Sequence, residues 1–76
     1  MISTNEVANK IKDRIEVAEI QVEEIAGKAD HFFVHVVSSS FEGKTLIEQH
    51  QMINGIFQEE LLNGDVHALQ IKTATP

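Results

Sequence analysis

Cysteine is absent from this 76-residue sequence. Without a thiol, the chain cannot form a disulfide, supply a thiolate nucleophile or build a zinc site of the cysteine type. No hydrophobic run approaches the roughly 18 residues of a membrane-spanning helix. Residues 1–12 have neither the apolar core of a secretion signal nor the arginine-rich pattern of a transit peptide. We therefore expect a cytoplasmic protein, with a mitochondrial location as the alternative.

Positive charge is scarce, since six Lys and Arg stand against twelve Asp and Glu and give a net charge of -6. Such a chain repels phosphate backbones unless its cations gather on one face. Three of them, Lys10, Lys12 and Arg14, do lie close together in the sequence. Asp13 and Glu16 lie among them, so a solvated helix face is the simpler interpretation.

The length and the 42% of hydrophobic residues predict one small packed domain, residues 1–76. Ser3 or Thr4 can cap a first helix that ends near Glu16. Its apolar residues recur at intervals of three and four: Val7, Ala8, Ile11, Ile15 and Ala18. Alternation over residues 19–25, turn residues at 27–30 and a Phe/Val-rich segment at 31–38 then predict an antiparallel hairpin.

The second half begins with a serine-rich loop, residues 38–43, and continues into a helix that ends at Asn63-Gly64. The apolar stripe of this helix comprises Leu46, Ile47, His50, Ile53, Phe57 and Leu61. A short apolar run, residues 66–71, predicts a third strand. The order α-β-β-α-β predicts an α+β fold, in which a mixed three-stranded sheet carries the helices on one face. The third strand could join either strand of the hairpin.

Four histidines are the side chains best suited to bind a metal or to titrate near neutral pH. His50 falls in the helical stripe, where we expect it to bond a loop carbonyl and lock the helix to the sheet. His35 faces away from the predicted core and is expected to be solvated or to face a partner. His31 and His67 stand at the ends of strands and could project from the rim. By themselves, these two histidines are a weak indication of a metal site.

Catalytic motifs are not found. The serines of residues 38–40 lack the Gly-x-Ser-x-Gly context of a hydrolase nucleophile. Gly43-Lys44-Thr45 matches the end of a phosphate-binding loop, but Ser38 stands where that motif needs its first glycine. The carboxylates form no conspicuous acid-base pair. We therefore predict a binding protein and not an enzyme.

A set of short motifs resembles the BolA-like family in order and spacing. These motifs are Val36-Val37-Ser38, Phe41-Glu42-Gly43, Gln49-His50, Glu59-Glu60-Leu61, Val66-His67-Ala68-Leu69 and Thr75-Pro76. The resemblance is strong over residues 32–76 and weaker before them. It implies a fold related to the type II KH domain and a role as partner of a monothiol glutaredoxin, with which such proteins share a [2Fe-2S] cluster.

The resemblance also implies which residues bind the cluster and contact the partner. It assigns the main cluster ligand on this side to His67 and makes His31 the candidate second ligand, since family members place a His or Cys just before the second strand. Partner contacts are implied at Phe41, Gly43, His67 and Ala68. Because iron-sulfur clusters are held chiefly by thiolates, this chain cannot hold one alone. The remaining ligands would come from a glutaredoxin cysteine and glutathione.

Three features depart from the family pattern. The hairpin loop is short, Gln49 replaces an arginine before His50, and the sequence stops at Pro76, where relatives continue into a C-terminal helix. The alternative function is that of a nucleic-acid-binding transcriptional regulator, but the chain lacks the Gly-x-x-Gly loop of KH domains and is acidic. A third possibility is an interaction domain without cofactor that docks a partner on Phe33 and Val37.

Overall fold

The computed structural model describes residues 2–28 and 30–76. The elements in chain order are α1 (Thr4–Arg14), β1 (Glu19–Glu24), β2 (His31–Val37), a 3-10 turn (Ser39–Phe41), α2 (Leu46–Ile56), α3 (Gln58–Asn63) and β3 (Ala68–Ala74). The α+β fold predicted from the sequence is confirmed, with one difference: two helices stand where one was expected. None of the helices in the described ranges has the length and apolar character needed to cross a bilayer.

Helix α1 begins with a capping box. The Ser3 side chain accepts a hydrogen bond from the Glu6 N–H, and the Glu6 carboxylate accepts one from the Ser3 N–H, so two unpaired backbone groups of the first turn are satisfied. Val7 and Ile11 are fully buried on the face that packs toward the sheet. The helix ends at Arg14, two residues before the predicted end, because Ile15 adopts an extended conformation.

The sheet has the order β1-β2-β3, with β2 in the centre. Strands β1 and β2 are antiparallel, with Val22 opposite Val34, which confirms the predicted hairpin. Strand β3 lies parallel to β2, with His31 opposite Ala68. This pairing decides the question that the sequence left open. The third strand also begins two residues later than predicted, at Ala68, and continues to Ala74.

The core lies between the helices and one face of the sheet. Alternate residues of β2 point into it, so that Phe32, Val34 and Val36 are buried while Phe33 and Val37 are only half-buried on the opposite face. The other buried hydrophobic residues are Val7, Ile11, Phe41, Ile53, Ile56, Phe57 and Val66. The predicted arrangement, a mixed sheet with helices on one face, is therefore confirmed.

The predicted second helix is interrupted at Phe57. The backbone of this residue (φ -106°, ψ 20°) leaves helical geometry, and its ring is fully buried. The residues of α2 that face the core also differ from the predicted stripe. Leu46 and Ile47, assigned to the apolar stripe, are 62% and 71% exposed, whereas Ile56, outside that stripe, is buried. The end of the helical region is as expected, because Gly64 adopts the left-handed conformation (φ 86°) that glycine favours after a helix.

Gln49, and not His50, locks α2 to its surroundings. Its amide nitrogen donates to the Lys44 carbonyl at 2.9 Å, and its amide oxygen accepts a hydrogen bond from the Thr73 hydroxyl on β3. The hydrogen bonds of residues 2–28 and 30–76 include none from the His50 ring to a loop carbonyl. The expected role of His50 was therefore wrong: the planar amide next to it both donates and accepts, and thereby bonds the loop and the strand at once.

An ion pair joins α1 to α3. Lys10 donates to the Glu60 carboxylate, and its ammonium lies 5.8 Å from the centre of the Phe57 ring. The hydrogen bond from Lys10 holds the pKa of Glu60 below its usual value of 4.5, against an opposing effect of burial. Because folding lowers this pKa, the ion pair contributes its full stability above pH 4.5 and loses it as the pH falls through the folded-state value.

Replacing Glu60 with glutamine is therefore expected to lower the free energy of unfolding at pH 7 by about 1.5–3 kcal/mol, the usual range for a hydrogen bond to a charged group. The difference from the parent protein should shrink as the pH falls below 4.5. Urea unfolding at pH 7 and at pH 3 measures both effects. Glu59→Gln, an exposed neighbour, is the matched control. A difference between Glu60→Gln and the parent that is as large at pH 3 as at pH 7 contradicts the assignment.

Candidate metal centre

Parallel pairing of β2 with β3 brings two histidines together at one end of the sheet. His31 opens β2 and lies opposite Ala68, which opens β3, and His67 immediately precedes Ala68. The centres of the two imidazole rings are 6.0 Å apart, and their planes differ by 12°. Both histidines predicted to stand on the rim therefore lie side by side.

Asp30 lies behind His67 and contacts it twice. The Asp30 carbonyl accepts a hydrogen bond from the His67 N–H at 2.8 Å. This bond extends the parallel pairing by one residue before the start of β3. The carboxylate oxygen Oδ2 is 3.6 Å from Nδ1 of the His67 ring. Asp30 adopts a left-handed backbone conformation (φ 60°), which is uncommon for residues other than glycine.

The two rings can offer nitrogen ligands to a metal held from outside the chain. The His67 side chain is 59% exposed, so its ring is open to an incoming group. Neutral imidazole is a good ligand for iron, zinc and copper. Within the described ranges no cluster of three or more His, Asp or Glu side chains is arranged to hold a metal ion. The site thus consists of two imidazoles with a carboxylate behind one of them.

The other residues with implied partner contacts differ in exposure. Gly43 is exposed in the turn after the 3-10 segment and has a positive φ of 76°, which suits glycine. Ala68 is half-buried beside the histidines. Phe41 is only 1% exposed and belongs to the core, so its ring does not reach a partner in this conformation. Its contribution to any contact is indirect: it anchors the loop that carries Gly43.

That loop is further fixed by Ser38, the buried polar residue at the end of β2. The Ser38 hydroxyl donates to the Glu16 carbonyl and accepts from the Ser40 N–H. The Ser38 side chain therefore caps the 3-10 turn.

The remaining histidines lie away from the pair. His35 is on the open face of the sheet, opposite Gln21 in β1 and Lys72 in β3. It stands four residues from His31, about 13 Å along an extended strand. His50 lies within α2, half-exposed. Neither His35 nor His50 therefore belongs to the pair at the rim.

Sequence reasoning treated Asp30 only as a turn residue. The available signal was an Asp beside His31, at the point where a loop enters a strand. Asp tolerates the left-handed conformation because its short side chain can bond locally. The contact with His67, however, depends on the parallel pairing of β2 and β3, which the sequence did not specify.

Comparison with known proteins shows the family. Residues 4–76 match the family model described as BolA-like protein. The chain belongs to the BolA-like family. It is 36% identical to Protein BOLA2 of Arabidopsis thaliana over 97% of this chain and 78% of that protein. It is also 35% identical to mouse BolA-like protein 2, over 99% of this chain and 87% of the relative.

The fold agrees with that of solved BolA structures. BolA1 from Arabidopsis thaliana superposes with a TM-score of 0.85 and 30% sequence identity, covering all of this chain and 95% of the other. The BolA-like resemblance expected from the motifs is thereby confirmed. Some curated relatives are much longer than the matched region, which spans 44% of a BolA-like protein of Dictyostelium discoideum and 36% of mouse BolA-like protein 1.

Proposed function

We propose that this BolA-like chain is a non-enzymatic partner of a monothiol glutaredoxin and shares a [2Fe-2S] cluster with it, in cluster assembly, trafficking or iron homeostasis. His67 is the main ligand from this chain and His31 the second. The observation that carries the proposal is the pairing of two imidazoles, ring centres 6.0 Å apart, at an accessible end of the sheet.

The chemistry of the side chains fits a shared cluster better than a resident one. Thiolates are the usual ligands of [2Fe-2S] clusters, and two imidazoles can replace two of them on one iron. This sequence has no cysteine. A partner cysteine and a glutathione thiolate would supply the sulfur ligands, and the two imidazoles the nitrogen ligands. When bound, the cluster would supply electron transfer or cluster delivery, while this chain binds and orients.

The surface around the pair is suited to an adaptor. Ala68, beside the pair, is small and half-buried, so a second protein can approach the rings closely. The turn at Gly43 lies at the opposite end of β2 and is not part of this surface. Nucleic-acid binding has less support from the charges of the chain. Lys10, one of the three clustered cations of α1, is already paired with Glu60, and the net charge is -6. An acidic surface opposes binding to phosphate backbones.

Anaerobic cluster reconstitution tests the proposal. We expect a mixture of this chain, a monothiol glutaredoxin and glutathione to give visible absorption and circular dichroism spectra distinct from those of the glutaredoxin homodimer. His67→Ala should abolish or alter the heterodimer spectrum, and His31→Ala should alter it. His35→Ala is the matched control, because His35 lies on the same strand as His31 but away from the rim.

The proposal fails if the parent chain leaves the spectrum of the glutaredoxin homodimer unchanged. It also fails if His67→Ala behaves as His35→Ala does. In the first case, nucleic-acid binding measured at low and physiological salt is the next experiment, because the alternative function predicts a salt-dependent affinity.

A further inference from the structure

We propose that Asp30 is a positioning residue, which holds the His67 ring in the tautomer protonated at Nδ1 and so leaves Nε2 free to bind a metal. This inference rests on the proposed function at one point, because it takes His67 as a cluster ligand. The tautomer itself is a property of the chain without any cluster.

The carboxylate of Asp30 is placed for this role by its surroundings. The side chain is 18% exposed, and its oxygen Oδ1 is buried without a hydrogen-bond partner in the described residues. The side chain found within ion-pair distance of the other oxygen, Oδ2, is His67. A partly buried carboxylate that lacks other donors is costly unless it is paired. The ring N–H at Nδ1 is the donor that can pair with it.

The backbone of Asp30 supports the same conclusion. Its φ of 60° lies in the left-handed region, which glycine occupies without the steric penalty that a Cβ introduces. This conformation accompanies the hydrogen bond from His67 N–H to the Asp30 carbonyl. Glycine could provide that carbonyl equally well. What aspartate adds at this position is the carboxylate beside His67.

A carboxylate near one imidazole nitrogen decides which nitrogen carries the proton. Histidines that bind metals almost always donate their other ring N–H to a carboxylate, a carbonyl or water, which fixes the tautomer and the ring orientation. The separation of 3.6 Å is longer than a hydrogen bond. Since the His67 ring is largely exposed, a small rotation of the ring can shorten it. His31 has no carboxylate within ion-pair distance among the described residues, which distinguishes the two ligands.

Nitrogen-15 NMR of the histidine rings in the cluster-free protein tests the inference at a pH where the rings are neutral. Asp30→Gly is the suitable variant, because it removes the acceptor and tolerates a positive φ. We expect Nδ1–H to predominate at His67 in the parent chain and Nε2–H in Asp30→Gly, with His35 unchanged as the internal control. Asp30→Asn keeps an amide oxygen that can accept the same N–H, so it separates the effect of the charge from that of the acceptor. Predominance of Nε2–H in the parent, or the same tautomer in the parent and in Asp30→Gly, overturns the inference.

A second readout separates this inference from the proposed function. In the reconstituted heterodimer, Asp30→Gly should bind the cluster about 10–100-fold less tightly, the usual effect of removing such an outer partner. Competition with a chelator measures this affinity. If the His67 tautomer depends on Asp30 but the chain forms no shared cluster, the proposed function is refuted and the positioning role is retained. If the heterodimer shares a cluster, but neither cluster retention nor the His67 tautomer changes when Asp30 is replaced, the positioning role alone is refuted.

Discussion

Replacing Phe41 with alanine is expected to lower the free energy of unfolding by about 3–5 kcal/mol, the usual cost of removing a buried aromatic side chain. Phe41 is 1% exposed, and it anchors the loop between β2 and α2. A domain of this size is stable by only roughly 4–11 kcal/mol, at about 0.05–0.15 kcal/mol per residue. The variant should therefore be close to unfolding at 37 °C, as urea titration followed by far-UV circular dichroism will show.

Two further variants separate the core role of Phe41 from a direct partner contact. Phe41→Leu keeps most of the buried volume and should retain both the fold and glutaredoxin binding. Phe33→Ala removes a half-buried ring from the open face of the sheet and should cost much less stability than Phe41→Ala. If Phe41→Leu folds normally but fails to bind the glutaredoxin, the ring makes a direct contact and the core assignment is incomplete.

In the proposed heterodimer, exchanging His67 for cysteine is expected to lower the reduction potential of the cluster by roughly 100 mV or more. Clusters with two histidine ligands lie at about -150 to +300 mV, and plant-type clusters with only cysteine ligands lie near about -400 mV. A thiolate carries negative charge where imidazole is neutral, so it stabilises the oxidised cluster. Redox titration of the heterodimer, followed by visible circular dichroism, measures the shift.

The control for this exchange is His35→Cys, which introduces a thiol on the open face of the sheet, away from the rim. Its heterodimer should have the potential of the parent. His31→Cys should also lower the potential if His31 is the second ligand. A potential that His67→Cys leaves unchanged, in a complex that still holds its cluster, contradicts ligation by His67.

Much of the fold follows from local features of the sequence. Ser3 and Glu6 specify the start of α1 because the capping interaction involves only neighbouring residues. The alternation in β1 and β2 specifies which residues face the core, since side chains alternate along a strand. The break at Phe57 was not predictable in this way. Helical periodicity continues through it, whereas the structure places a fully buried ring at the residue where the backbone leaves helical geometry.

The site could be predicted less completely than the fold. The positions of His31 and His67 at strand ends placed both on the rim, but their proximity depends on β3 pairing with β2 in parallel. That pairing forms between segments far apart in the sequence, and a shift of one residue would reverse the faces of a strand. The contribution of Asp30 required the same register and a positive φ. The motif resemblance, and not the hydrophobic periodicity, indicated which two of the four histidines are the candidate ligands.

The most direct test of the central claim is to detect an imidazole nitrogen of this chain on the cluster iron. Only this chain would carry nitrogen-15 histidine, the glutaredoxin would be unlabelled, and the reduced heterodimer would be examined by pulsed electron paramagnetic resonance. We predict a strong nitrogen-15 hyperfine coupling from each of His67 and His31. His35→Ala should retain both couplings, whereas His67→Ala should lose the one from His67. A heterodimer that contains the cluster but shows no such coupling contradicts ligation by this chain.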